Sequence, residues 1–292
     1  MRDLKGKNAI LTGASRGIGA MLARELARQG VNLVLVARPA SAEVLNVTAN
    51  ELSGLGVRAL SIPVDLCQPV DRQRLVEQAI AELGSIDLLV NNAGIGYFAP
   101  FCRTGEEGIH RIVETNLVAP MDLVRLTLPG MLERRSGHIL NIASMAGKST
   151  LPYDSVYSAT KAGVISWSWS LHYELEGSGV GVSVVCPGFI SSVGFHARRK
   201  LKAPWMMREI SPESVVNAVL KAIKNDQLEV LIWPTPIRVL LAIKELSPNL
   251  VALYYRWFGL LKFARRMEAE AEKTIRTKGG LDELGIHKNN RH

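Results

Sequence analysis

Three cysteines in 292 residues, Cys67, Cys102 and Cys186, are too few and too scattered for a disulfide framework. No Cys-x-x-Cys pair occurs, so no metal site is expected, and the chain reads as reduced and cytoplasmic. No self-similar period of solenoid length is visible. No uninterrupted apolar run reaches the ~20 residues that cross a bilayer. The start, Met1 to Lys7, is polar and leads straight into a strand pattern, unlike a secretory signal. The formal net charge is +8, yet zinc-finger spacing and Arg-rich helices are both missing, so nucleic acid is not an expected partner. The positive excess is left for a phosphorylated ligand or an acidic membrane.

What is present is ample apolar material, 47% of residues against 21% charged, which argues for a folded core. Short runs rich in Val, Ile and Leu recur at Asn8–Thr12, Asn32–Ala37, Ala59–Val64, Asp87–Val90, His138–Ile142, Val180–Val185 and Glu229–Trp233. Unbroken apolar runs fit strands covered on both faces. Stretches such as Ile18–Gln29 and Asp71–Leu83 carry helical spacing between them. The alternation predicts an α/β fold, a seven-stranded, doubly wound parallel sheet with helices on both faces. One domain is expected over residues 1–233. Residues 234–292 form a C-terminal helical extension, whose polar tail from about Glu268 is expected to be disordered.

The first strand enters Thr12-Gly13-Ala14-Ser15-Arg16-Gly17-Ile18-Gly19. Glycine at a strand-to-helix turn lets backbone approach a pyrophosphate, and the helix N-terminus offers free N–H donors. The spacing is wider than G-x-G-x-x-G. At the end of the second strand, where an acid would favour a free ribose 2′-hydroxyl, stands Arg38. Arg38 and Arg16 suit a 2′-phosphate, so NADP(H) is expected over NAD(H).

Tyr157 and Lys161 are four residues apart and share one helix face. A phenol ionises near pH ~10. A neighbouring ammonium is expected to lower that value toward useful acid–base range. Alone, the pair is equally a surface pair on a helix. Its context is specific: Ser144 ends the fifth strand thirteen residues earlier, Asn116 stands in Thr115-Asn116-Leu117, and Pro187-Gly188-Phe189-Ile190 follows the sixth strand. Together with the glycine loop and Asn91-Asn92-Ala93-Gly94, these elements run in order over residues 7–233 and resemble the short-chain dehydrogenase/reductase family.

That resemblance implies a Rossmann-like NADP(H)-dependent oxidoreductase acting on a carbonyl or secondary alcohol. Tyr157 would pass the proton, Lys161 would tune it and hold the nicotinamide ribose, Ser144 would stabilise the carbonyl oxygen, and Asn116 would hold a water. Cofactor contacts would come from Gly13, Ser15, Arg16, Gly17, Ile18, Gly19, Arg38, Asp65, Leu66, Asn92, Ala93, Gly94, Tyr157, Lys161, Pro187, Gly188, Ile190 and Ser192. Asp65 is equally a turn residue. Ser192 stands where many members have Thr, a departure that retains the hydroxyl. Trp167 and Trp169 lie on the Tyr157 helix; the family often builds a dimer there, and a homo-oligomer is expected, although core aromatics are the simpler account.

Residues 191–210 occupy the variable substrate loop, with apolar Phe195, Pro204, Trp205, Met206 and Met207 beside basic Arg198, Arg199, Lys200 and Lys202. Residues 237–267 mix apolar and basic side chains. They fit a lid over the cleft, a peripheral membrane contact or a subunit contact. A lipophilic small-molecule substrate follows: a 3-oxoacyl, sterol-like or sphingoid ketone. The alternatives are a non-catalytic NADP(H)-binding regulator and a membrane-associated scaffold.

Overall fold

The computed structural model describes residues 3–96, 98–192, 209–234 and 237–278. All seven apolar runs are strands: β1 (Asn8–Thr12), β2 (Asn32–Ala37), β3 (Ala59–Pro63), β4 (Leu88–Asn91), β5 (Gly137–Ile142), β6 (Val180–Pro187) and β7 (Glu229–Ile232). They form one sheet in the order β3-β2-β1-β4-β5-β6-β7, with every neighbouring pair parallel. Successive side chains of a strand point to opposite faces. Thus Leu11, Leu33 and Val90 meet α1 (Gly17–Arg28), α2 (Ala42–Ser53) and α7 (Pro212–Asn225) on one face. Ile10, Val34 and Leu89 meet α3 (Pro69–Leu83), α5 (Ala119–Glu133) and α6 (Ser155–Glu174) on the other. The fold is therefore the doubly wound, Rossmann-like sheet expected from the alternation.

From β1 the chain steps outward through β2 to β3, then returns to β4 on the far side of β1. At this reversal the connections leave in opposite directions and open a crevice at the carboxyl ends of the strands. Helix α4 (Glu106–Val113) continues into α5 through a π turn at Glu114–Val118. The buried Arg72 of α3 clamps both sides of that turn, donating to Glu114 at 2.6 Å, Asp122 at 2.7 Å and the Leu66 carbonyl at 2.6 Å.

The extension folds as α8 (Ile237–Leu246), α9 (Pro248–Trp257) and α10 (Leu260–Lys278). Of the tail expected to be disordered from Glu268, residues 268–278 are instead helical, and residues 279–292 lie outside the described residues. Phe263, Met267 and Ala271, spaced one helical turn apart, are buried with Phe98 and Leu151. Three apolar residues in a charged stretch are few, yet their spacing places them on one stripe. Residues 193–208 of the substrate loop, including its aromatic, Met and basic residues, lie outside the described residues. The loop's two ends are joined by a parallel bridge between Ile190 and Ile210.

Replacing Arg72 with Met strands Glu114 and Asp122, which are 30% and 17% exposed. With that exposure discounted, the loss is expected at about 2 kcal/mol, seen as a thermal midpoint several degrees lower.

Candidate active site

The crevice is built first from backbone. Thr12 Oγ1 accepts from the amides of Asn92 and Ala93, both at 3.0 Å. Asn92 Nδ2 donates to the carbonyls of Thr12 at 2.9 Å and Gly13 at 3.2 Å. A Cβ on Gly19 would stand 2.0 Å from the Gly13 carbonyl oxygen, so only glycine lets α1 start this close to β1. Gly13, at φ +70°, would bring a Cβ to 2.9 Å from Ala93 Cα. The first turn of α1 carries neither a side-chain cap nor an acid. Its N–H groups and positive dipole are left for an anion.

Around this point opens a cleft of about 720 Å³. Lining it are Ser15, Arg16, Gly17 and Ile18 from the loop, Arg38 after β2, Asp65 and Leu66 after β3, and Ala93 and Gly94 after β4. Among the described residues the Arg38 guanidinium makes no hydrogen bond or ion pair, so it is available to a ligand. The Asp65 carboxylate caps the turn, accepting from Cys67 N at 3.1 Å, and the residue borders the cleft. A glycine cradle, an uncapped helix start and exposed guanidiniums together fit a phosphorylated dinucleotide. Pro187, Gly188, Ile190 and Ser192 line the other end, Ser192 at φ +58°.

At the centre stand Ser144, Tyr157 and Lys161. Ser144 leaves β5 in extended backbone, and its Oγ accepts from Ala146 N at 3.1 Å. Its hydroxyl also acts on Tyr157, favouring the phenolate. The turn after Ser144 is pressed on α6, where a Cβ on Gly147 would meet Ala162 N at 2.7 Å. Lys161, one helical turn from Tyr157, is buried, donates to the Ile142 carbonyl at 2.8 Å and lies 5.7 Å from the phenol ring centroid. Asn116 does not border the cleft. From the π turn it accepts from Ile95 N and donates to Ile95 O, both at 2.8 Å, and donates to Thr160 Oγ1 at 3.2 Å. It thereby fixes the loop after β4 and Thr160, the residue preceding Lys161.

The electrostatics depart from the sequence expectation. Burial pushes the Tyr157 phenol up from its ordinary 10, and the nearby Asp154 pushes the same way; the Ser144 hydroxyl opposes both. Burial also brings the Lys161 ammonium down from 10.5 to about 8, with Cys186 opposing. Proximity to an amine thus does not acidify the phenol in this state, because both groups lose water and desolvation outweighs their attraction.

Sequence reasoning missed several neighbours. Gly96 lies against the phenol ring, where a Cβ would sit 2.7 Å from Tyr157 Cδ2. Its signal was the second glycine after Asn92-Ala93. Asp154 and Ser149 also line the cleft. Beyond Tyr157 the walls are apolar: Phe98, Leu151, Phe189 and Trp233, closed by Leu240, Leu260 and Met267 of the extension. The extension is fastened by hydrogen bonds from Lys244 Nζ to the Lys148 carbonyl at 2.8 Å and between the Tyr255 and Ser149 hydroxyls. Tyr153, at φ +70°, packs in this cluster and is not among the cleft residues.

Because the folded value of Lys161 lies below its unfolded one, the unfolded chain binds the extra proton between about pH 8 and 10. Stability contributed by this group rises with pH through that window, by about 3 kcal/mol at most. Tyr157, raised, acts in the opposite sense only above about pH 10. The thermal midpoint of the chain relative to Lys161→Met is therefore expected to climb from pH 8 to 10; a flat difference refutes the assignment.

The short chain dehydrogenase family model matches residues 7–202. The ketoacyl reductase HetN of Nostoc sp. (strain PCC 7120) is 44% identical over 271 residues, 91% of this chain and 94% of that protein. The 3-oxoacyl-(acyl-carrier-protein) reductase FabG of Staphylococcus aureus (strain Mu50) is 37% identical over 64% of this chain and 75% of its own length. A metagenomic short-chain oxidoreductase solved in complex with NADP superposes with a TM-score of 0.68 at 34% identity, covering 80% of this chain and 99% of that one. Both in sequence and in the order of its strands, this chain belongs to the short-chain dehydrogenase family.

Proposed function

We propose that this chain is an NADP(H)-dependent oxidoreductase that reduces a lipophilic ketone, or oxidises the matching secondary alcohol. The observation that carries the reading is that Ser144, Tyr157 and Lys161 gather where the glycine-lined cleft meets the apolar chamber. A pure nucleotide binder has no use for a buried proton donor there.

Gly13, Gly17 and Gly19 would let the pyrophosphate approach α1, and Arg16 and Arg38 would hold the 2′-phosphate. Asp65, Leu66 and Asn92 to Gly94 would border the adenosine, and Pro187, Gly188, Ile190 and Ser192 the nicotinamide. The cofactor supplies hydride chemistry when bound. Tyr157 is protonated at neutral pH and donates to the substrate oxygen in the reducing direction. Ser144 donates to the same oxygen and stabilises charge that develops there. Lys161 would hold the ribose hydroxyls, and its charge favours the phenolate left after proton transfer. Asn116 acts on Lys161 through the backbone it positions, and would hold a water beside it.

A 3-oxoacyl substrate is favoured because HetN and FabG are named as ketoacyl reductases and the chamber walls are apolar. We read the enzyme as a cytoplasmic homo-oligomer with peripheral membrane contact. Exposed Trp169 and Tyr173 on α6 support a subunit contact.

Tyr157→Phe is expected to abolish ketone-dependent NADPH oxidation while leaving NADPH affinity within about twofold; wild-type turnover would remove Tyr157 from the mechanism. Arg38→Asp is expected to weaken NADPH about 10- to 100-fold, the worth of a charge-assisted pair, with NADH little changed. Across 3-oxo substrates of increasing length, kcat/KM is expected to rise about fourfold per methylene until the chamber is full, and a flat series refutes the lipophilic assignment.

A further inference from the structure

The helices that close the chamber have two apolar sides. On α8, Ile237, Leu240 and Leu241 pack inward against Met145, Ile165 and their neighbours. The opposite stripe, Val239, Ile243 and Leu246, is 65%, 40% and 86% exposed. On α9, Tyr255 turns inward to Ser149, whereas Leu250, Leu253 and Trp257 are 57%, 43% and 78% exposed. Both outward sets follow helical spacing and lie on helices that pack together. A group of large apolar side chains on adjoining helices marks an interaction surface.

The charge beside it selects the partner. Helices α8 and α9 carry Arg238, Lys244 and Arg256 against a single carboxylate, Glu245, and the first turns of α10 add exposed Lys262, Arg265 and Arg266 ahead of Glu268, Glu270 and Glu272. A second copy applied to this face would bring like charges together, which costs energy at close range. An anionic lipid surface offers the complement: headgroup charge for the guanidiniums and hydrocarbon for Trp257 and the leucines. Ten-residue helices are too short to span a bilayer. Lying in the interface plane is the geometry open to them.

We propose that the outer face of α8 and α9 docks on anionic membrane and presents the apolar end of the cleft to the lipid phase. Leu240 and Tyr255, on the same helices, line that cleft. A hydrophobic ketone or alcohol would then exchange with the bilayer beside the lid instead of crossing open water. This deepens the functional reading and rests on it only for what is delivered, so binding is measured without ketone or nucleotide.

The test is flotation of the full chain with phosphatidylcholine vesicles, with and without phosphatidylglycerol, at low and high salt. Recovery with the anionic vesicles at low salt is expected, falling sharply at high salt. Leu246→Glu/Trp257→Glu is expected to lower the partition coefficient at least about tenfold with the thermal midpoint unchanged. Arg256→Glu/Arg265→Glu should lose the preference for phosphatidylglycerol. Tyr157→Phe should float like the parent chain, which separates docking from chemistry. Absence of the chain from floated anionic vesicles, or equal flotation of the Glu variants, overturns the proposal. So does a dimer in sedimentation equilibrium that Leu246→Glu/Trp257→Glu converts to monomer, since the face would then be a subunit contact.

Discussion

The whole site hangs on how closely two backbones can pass at the carboxyl ends of β1 and β4. Parallel strands whose connections part in opposite directions leave backbone groups without ladder partners, and buried groups of that kind are costly. Thr12 and Asn92 answer this reciprocally, one through its hydroxyl and the other through its amide. The knot leaves room for α1 only because Gly19 meets the Gly13 carbonyl without a side chain between them. From this one approach follow the direction of α1, the bed of the cleft and the line along which β5 delivers Ser144.

Toward the catalytic end the constraint changes from sterics to hydration. Tyr157 and Lys161 are both withdrawn from water, and each is driven toward its neutral form. Neutral phenol is the state that gives a proton. At about 8, Lys161 is still mainly the ammonium at neutral pH, so its charge is at hand to support a phenolate. The scaffold holding Lys161 reaches far: Arg72 clamps the π turn, the π turn aims Asn116, and Asn116 pins Ile95 and Thr160. π turns recur at functional sites because the extra residue re-aims a side chain that regular helix would point elsewhere.

Strands and the glycine loop could be read directly from the chain because they obey local rules. A fully covered strand needs an unbroken apolar run, and a close backbone approach needs glycine. The four-residue spacing of Tyr157 and Lys161 likewise puts them on one helix face. What could not be read depends on distance through space. The π turn leaves no trace in the spacing around Asn116, and Arg72, which clamps it, stands some forty residues earlier. The phenol's upward shift depends on how much water the fold removes, which no neighbour in sequence reports. Helix α10 beyond Glu268 was hidden by charge: Met267 and Ala271 suffice for burial only because Phe98 and Leu151 await them.

The extension brings these levels together. Helices of ten residues do not persist alone in water, so α8 and α9 owe their form to packing. Their inward sides are fully accounted for by the core under β6 and by the hydrogen bonds of Lys244 and Tyr255 to the turn after Ser144. Nothing in that anchoring calls for Leu246 or Trp257 to be apolar, and polar residues there would serve the lid equally well. Apolar groups kept in water at such positions favour aggregation unless a partner covers them. The outer stripe is therefore a second requirement laid on the same helices. Because the lid is tied to Lys148 and Ser149, whatever covers that stripe acts one hydrogen bond from the turn that follows Ser144.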